Sequence, residues 1–198
     1  MDLDTAREVA EKFFNKSGDI KVLAGERNPN FLVTTTHGKF VLKIHSSEEV
    51  SQIQIQQSAL AVLEQVYKFQ TPTTVPADSG ELLVDIGEGK FARMLTWIDG
   101  DLWSQSQDLG ESHKSQLGRL IATVDSKLAT VDCTNFRTTL DQPFGWNALQ
   151  AKELIADIAL IQDVELRAQV STIFDRIANR TLAKVLELPH QLIHNDAN

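Results

Sequence analysis

The sequence predicts an α+β protein in two lobes: an antiparallel five-stranded sheet with one inserted helix, a hinge, and a helical lobe. Three observations predict it. Strand-like segments are confined to residues 20–97, a single helical stretch interrupts them after residue 46, and from about 101 to 187 apolar residues recur only at helical spacing.

In chain order, Ala6, Val9, Ala10, Phe13 and Phe14 recur as on a helix behind Asp4, an N-cap residue type, and Gly18 closes the segment. Ile20–Ala24 and Phe31–Thr36 read as strands flanking the turn-rich Gly25-Glu26-Arg27-Asn28-Pro29-Asn30, and His37-Gly38 turns into a third strand, Lys39–His45. Alternation along that strand puts Phe40, Leu42 and Ile44 on one face and Val41, Lys43 and His45 on the other. Ser46 and Glu49 have the spacing of a capping box, opening a helix with Val50, Ile53, Leu60, Leu63 and Tyr67 near one stripe and Gln56 and Gln57 interrupting it. Prolines 72 and 76 end that helix. Glu81–Ile86 and Lys90–Trp97 then form a hairpin about Gly87-Glu88-Gly89, and the chain turns at Asp99-Gly100. Beyond it, Leu117 to Leu128, Ala148 to Ile161 and Leu166 to Ile177 read as helices, with Gln142-Pro143-Phe144-Gly145 the clearest loop. The expected division is residues 1–98 as the sheet lobe and 99–198 as the helical lobe.

With 198 residues the chain can bury a real core, and a net charge of -8 argues against nucleic-acid binding, which rests on a basic face, while leaving room for local basic pockets. No apolar run is long enough to span a membrane. The single cysteine, Cys133, excludes an intrachain disulfide framework and a thiolate zinc site. Met1-Asp2-Leu3-Asp4 is acidic and helical rather than basic and then apolar, so no signal peptide is read and a cytoplasmic location is expected.

Three features carry chemistry, and each has a plainer alternative. A lysine in mid-strand behind a turn-rich loop is what a nucleotide lobe needs, because loop N–H groups cover phosphates while the ammonium neutralises their oxygens; Lys43 also reads as a snorkelling edge lysine. Met94-Leu95-Thr96-Trp97-Ile98 suits a hinge whose backbone hydrogen-bonds an adenine edge, or equally a simple crossover. At His194-x-Asp196 a carboxylate stands where it could orient a substrate hydroxyl attacking a γ-phosphate, with the histidine bracing the loop; the alternative is an ordinary polar loop. Asp99, Asp101 and Asp108 read as an acidic entrance for a cationic amine or as a solvated loop.

Taken together, Gly25-Glu26-Arg27-Asn28-Pro29-Asn30-Phe31, Phe40-Val41-Leu42-Lys43-Ile44 and Leu192-Ile193-His194-Asn195-Asp196-Ala197-Asn198 resemble the aminoglycoside phosphotransferase family, which has the protein-kinase-like fold. The likeness is strongest to its hydroxylysine-kinase-like members, including kinase domains that precede a class III aminotransferase domain in longer bacterial chains. Leu117-Gly118 and Trp146 are similar to that group as well.

The resemblance implies an ATP- and Mg²⁺-dependent phosphotransferase acting on a hydroxyl of a small amine-bearing molecule, an amino alcohol or hydroxy amino acid. It further implies that Lys43 contacts the α/β-phosphates beneath the Gly25–Asn30 loop, that Thr96 and Ile98 present backbone to adenine, and that Asp196, with His194, forms the catalytic loop. A fused C-terminal class III aminotransferase domain is the implied partner.

This sequence departs from the family in three ways. Where the family's helix carries a glutamate that pairs with the strand lysine, the inward position here is Gln56, with Gln57 the alternative. The family's metal-binding Asn and later Asp fall beyond Asn198, so no metal ligand is expected within these residues and the 198 residues alone are expected to be nearly inert. The part of the helical lobe that floors the substrate site in the family also falls beyond Asn198. The alternative function is a non-catalytic, pseudokinase-like module that binds nucleotide or a partner.

Overall fold

The structure is a computed structural model that describes residues 1–25, 28–66, 69–102, 105–106, 110–134 and 147–194. It contains two compact units, one formed by Met1–Phe136 with Leu192–Asn198 and the other by Arg137–Gln191.

The first unit opens with α1, Leu3–Phe14, whose N-cap is Asp2 rather than Asp4. The Asp2 carboxylate accepts from the Thr5 N–H at 2.8 Å and the Thr5 hydroxyl at 2.7 Å, while Asp4 instead pairs with Arg7 one turn on. At the other end the cap is Asn15, in the left-handed region at φ 51°, not Gly18. Gly18 has a different task. A Cβ there would stand 2.8 Å from the Thr34 carbonyl carbon and closer still to its oxygen, so glycine is what lets the connection lie against the second strand.

The sheet has six strands: β1 Asp19–Leu23, β2 Asn30–Thr35, β3 Gly38–Ser46, β4 Thr74–Val75, β5 Val84–Gly87 and β6 Lys90–Thr96. All pair antiparallel in the order β1-β2-β3-β6-β4, with β5 also on β6. The expected count was five; the extra strand is β4, two residues between Pro72 and Pro76 that meet β6 at Leu95 and Met94. Alternation sorts the faces as the sequence implies. Phe31, Val33, Leu42, Ile44, Ala92 and Met94 form one apolar face, buried under Ala6, Val9, Ala10 and Phe14 of α1. The opposite face carries Lys43 and His45 of β3.

A 3-10 turn, Ser47–Glu49, leads into α2, Val50–Leu63, and the Ser46–Glu49 capping box forms as the sequence predicts. Ile53, Ile55 and Leu63 of α2 are buried, and α2 packs against α3, Glu111–Leu128. The buried set thus includes Ile55, which lies outside the stripe that the spacing implied.

The second unit contains a 3-10 helix, Ala148–Leu160, where an ordinary helix was expected. The helix Val164–Arg176 follows, capped by Asp163, which accepts from the N–H groups of Glu165 and Leu166. A π turn, Ile177–Thr181, joins it to Leu182–Leu186. The expected loop at Gln142–Gly145 lies outside the described residues.

Replacing Gly18 with alanine must displace the β2 backbone, an overpacking that costs about 1–3 kcal/mol. Chemical denaturation of Gly18→Ala is expected to show that loss, with Gly100→Ala, where a Cβ meets nothing within 4 Å, near wild type.

Candidate functional site

Strand register assembles the site on the sheet face opposite α1. Lys43 on β3 lies between Asn30 of β2 and Arg93 of β6, each its direct cross-strand partner. Val41 sits one step along between Leu32 and Leu95, and His45 one step the other way beside Phe91. The face thus grades from apolar to cationic along the strands.

Lys43 is half-buried, and its ammonium makes no hydrogen bond or ion pair among the described residues. Burial holds its ammonium below the usual lysine range, and the Arg93 charge adds to that. Arg93 is only 3% exposed, and burial pushes its guanidinium down to about 10, partly offset by the Glu49 carboxylate. Its Nη2 donates to the Gln56 side-chain oxygen at 2.5 Å, while its Nε and Nη1 have no partner among the described residues.

Gln56 is thus brought into the site, but it holds Arg93 rather than Lys43, and Gln57 points elsewhere, donating to the Leu82 carbonyl at 3.1 Å. The sequence reading missed Arg93. The signal was present, since an arginine in the apolar run Phe91-Ala92-Arg93-Met94-Leu95 is the same mid-strand anomaly as Lys43 in β3.

The turn-rich loop is anchored beside these cations. Asn28 Nδ2 donates to Glu49 Oε1 at 2.8 Å and lies 3.2 Å from His45 Nδ1, while Glu49 Oε2 accepts from the Ser46 N–H at 2.9 Å. Burial would raise the Glu49 pKa, but the bonds from Asn28 and Ser46 win and hold it below the usual glutamate range. His45 is buried, and that burial, with the Arg93 and Lys43 charges, pushes its imidazole down to about 4 against the pull of Glu49. It is therefore neutral near pH 7, and its 3.9 Å approach to Glu49 is no ion pair there. A neutral ring that accepts from Asn28 at Nδ1 carries its proton on Nε2.

Of the other expected loop residues, Gly25 allows a close fold-back, since a Cβ there would stand 2.7 Å from the Asn28 carbonyl oxygen and nearer still to the Asn30 amide nitrogen. Asn30 leaves its side-chain oxygen buried and unpartnered among the described residues. Glu26 and Arg27 lie outside them.

At the end of β6 the Thr96 N–H is taken by the Thr73 carbonyl at 2.9 Å, and the Trp97 N–H by Lys39 at 3.0 Å. The Ile98 N–H donates no hydrogen bond among the described residues. Asp99 forms a clasp, accepting from the Lys39 ammonium at 2.6 Å and the Trp97 indole at 3.0 Å. That local clasp commits one of the three carboxylates of the expected acidic entrance; Asp101 is exposed and Asp108 lies outside the described residues.

His194 is exposed, and its backbone N–H donates to Asp125 of α3 at 3.2 Å, tying this stretch of the chain to that helix. Asp196 lies outside the described residues. Among those that are described, no group of three or more His, Cys, Asp or Glu gathers as a metal site would require, and no helix is long and apolar enough to cross a membrane.

The depressed His45 pKa makes folding pH-dependent. Between about 6.5, its unfolded value, and about 4, the unfolded chain binds the proton and the folded one does not, so stability falls as pH drops through that window, by at most about 1.4 kcal/mol per pH unit. Urea denaturation at pH 7 and pH 5.2 is expected to show this loss, and His45→Gln is expected to flatten it.

A comparison with curated protein sequences finds no match. Among solved structures, the chain is similar to spectinomycin phosphotransferase APH(9)-Ia in complex with ADP and spectinomycin, at a TM-score of 0.61 and 13% identity over 99% of this chain and 63% of that one. It is similar to APH(2")-IIa in its ternary complex with streptomycin and ATP, at 0.60 and 19% over 99% and 64%. It also matches a microcompartment-associated aminopropanol kinase, at 0.55 and 19% over 75% and 46%. At these identities the likeness establishes a kinase-like fold, and the chain spans less than two thirds of the length of each of these proteins. The sequence profile of the phosphotransferase enzyme family matches residues 19–198, and with that match over nearly its whole length the chain belongs to this family.

Proposed function

We propose that the protein is an ATP-dependent phosphotransferase that moves the γ-phosphate to a hydroxyl of a small amine-bearing molecule, an amino alcohol or a hydroxy amino acid. The observation that carries this reading is the half-buried Lys43, in mid-strand with Arg93 and Asn30 as its cross-strand partners and with the Gly25–Asn30 loop beside it. An ammonium, a guanidinium and amides form a donor set that suits phosphate oxygens and does not suit a metal ion. Family membership and fold neighbours that include an aminopropanol kinase support the same class.

In this reading residues 1–98 bind nucleotide and residues 99–198 contribute to the acceptor side. Lys43 binds the α/β-phosphates. Thr96, whose N–H is already committed, offers adenine its carbonyl, and Ile98 offers its N–H. Asp196 orients the acceptor hydroxyl and takes its proton, and the His194 backbone bond to Asp125 steadies the approach to it. Bound Mg²⁺ would neutralise charge developing on the phosphates. No residue described here is assigned to hold it, and residues 1–198 by themselves are proposed to turn over poorly. We place the protein in the cytoplasm and keep a class III aminotransferase domain as the proposed fused partner.

The test is ADP release with ATP and Mg²⁺ over a panel of amino alcohols and hydroxy amino acids, using the protein at its natural length beside residues 1–198. Turnover with at least one acceptor is expected from the former, falling roughly 10²- to 10⁴-fold in Asp196→Asn. Nucleotide binding without turnover across the panel would instead support a non-catalytic nucleotide-binding module.

A further inference from the structure

We propose that Arg93 is a second phosphate anchor of the nucleotide site, acting beside Lys43, and that Gln56 is the positioning residue that orients its guanidinium without neutralising it. The inference rests on the nucleotide reading above and adds to it a residue and a reason for a glutamine on α2.

Arg93 is 3% exposed, yet two of its donor atoms, Nε and Nη1, have no partner among the described residues. Buried guanidinium donors left unmade are costly, and arginines so deeply buried are normally paired with a carboxylate. Here the partner is an amide. Gln56 takes one donor at 2.5 Å and returns no charge.

The surroundings are cationic. Lys43 lies directly across the β3–β6 ladder, like charges in that register repel, and His45 on the same face is neutral near pH 7. Glu49 is the carboxylate whose field reaches Arg93, and its oxygens are already bound to Asn28 and Ser46. Among the described residues, with Lys43 and Arg93 positive and Glu49 negative, the cluster is left with one uncompensated positive charge. A polyphosphate supplies what this arrangement lacks: several anionic oxygens that accept from a planar guanidinium and an ammonium together.

Glutamine at 56 then has a specific value. A glutamate there would pair with Arg93 and consume the charge meant for the ligand, whereas the amide fixes the fork and leaves its charge available. The same logic predicts that Gln56→Glu stabilises the free protein while weakening its hold on triphosphate.

The experiment measures dissociation constants of ATP, adenosine and inorganic tripolyphosphate for the wild type, Lys43→Ala, Arg93→Gln and Gln56→Glu. Arg93→Gln is expected to weaken ATP and tripolyphosphate by roughly tenfold or more with adenosine within about twofold, the loss of a charged hydrogen bond. Gln56→Glu is expected to weaken ATP several-fold, again sparing adenosine, while raising the melting temperature of the ligand-free chain. If ATP binds, Lys43→Ala weakens it, and the ATP-to-adenosine ratio is unchanged in Arg93→Gln and Gln56→Glu, Arg93 is a structural arginine and the proposal fails while the nucleotide reading stands. If the wild type binds neither ATP nor tripolyphosphate, the nucleotide reading itself falls and the proposal with it. Should Arg93→Gln fail to fold, Gln56→Glu decides by the same ratio.

Discussion

Two cations held side by side in a sheet are the constraint around which the first unit is arranged. Antiparallel pairing of β3 with β6 sets Lys43 opposite Arg93, and alternation that keeps Leu42 and Ile44 in the core keeps both cations on the other face, since a one-residue slip would turn every side chain of β3 over. The apolar face buried under α1 therefore dictates the cationic face. What the core gains by burying Phe31, Val33, Leu42 and Met94, all at most 2% exposed, is large enough to hold a like-charge pair costing up to about 1 kcal/mol in that position.

The other parts of this face limit that cost. His45 avoids adding a third positive charge by staying neutral, because it is buried and because the Arg93 and Lys43 charges disfavour its proton. Glu49 is kept ionised by bonds from Asn28 and Ser46, which makes it a fixed negative charge near Arg93 rather than a mobile counterion. One residue pair of a capping box, legible in the sequence as a helix start, thus also supplies the local electrostatics.

Much of this fold could be read before any coordinates. Period-two alternation in β3 gave the two faces, Ser46 with Glu49 gave the start of the helical segment, and the hairpin about Gly87–Gly89 followed from its turn residues. What failed did so for physical reasons. β4 is two residues long, too short for any periodicity, and exists because β6 has an unpaired edge there and because Thr73 and Thr96 bond across it. The cap of α1 moved from Asp4 to Asp2 because both are good capping residues, and only Asp2 reaches Thr5. Gln56 was read as the inward residue of α2; it is exposed, and only its side-chain oxygen reaches in, to Arg93, a partner no local pattern encodes because the β3–β6 register joins residues fifty apart. The carboxylate Asp196 was legible only as a motif, and the described residues come no nearer to it than His194.

The short segment from Glu49 to Gln56 is a lever. Glu49 grips the loop through Asn28, and Gln56, seven residues or about 10 Å farther along, grips the guanidinium. One helical segment thus carries both contacts, so that a displacement of α2 reaches the loop through Glu49 and the guanidinium through Gln56.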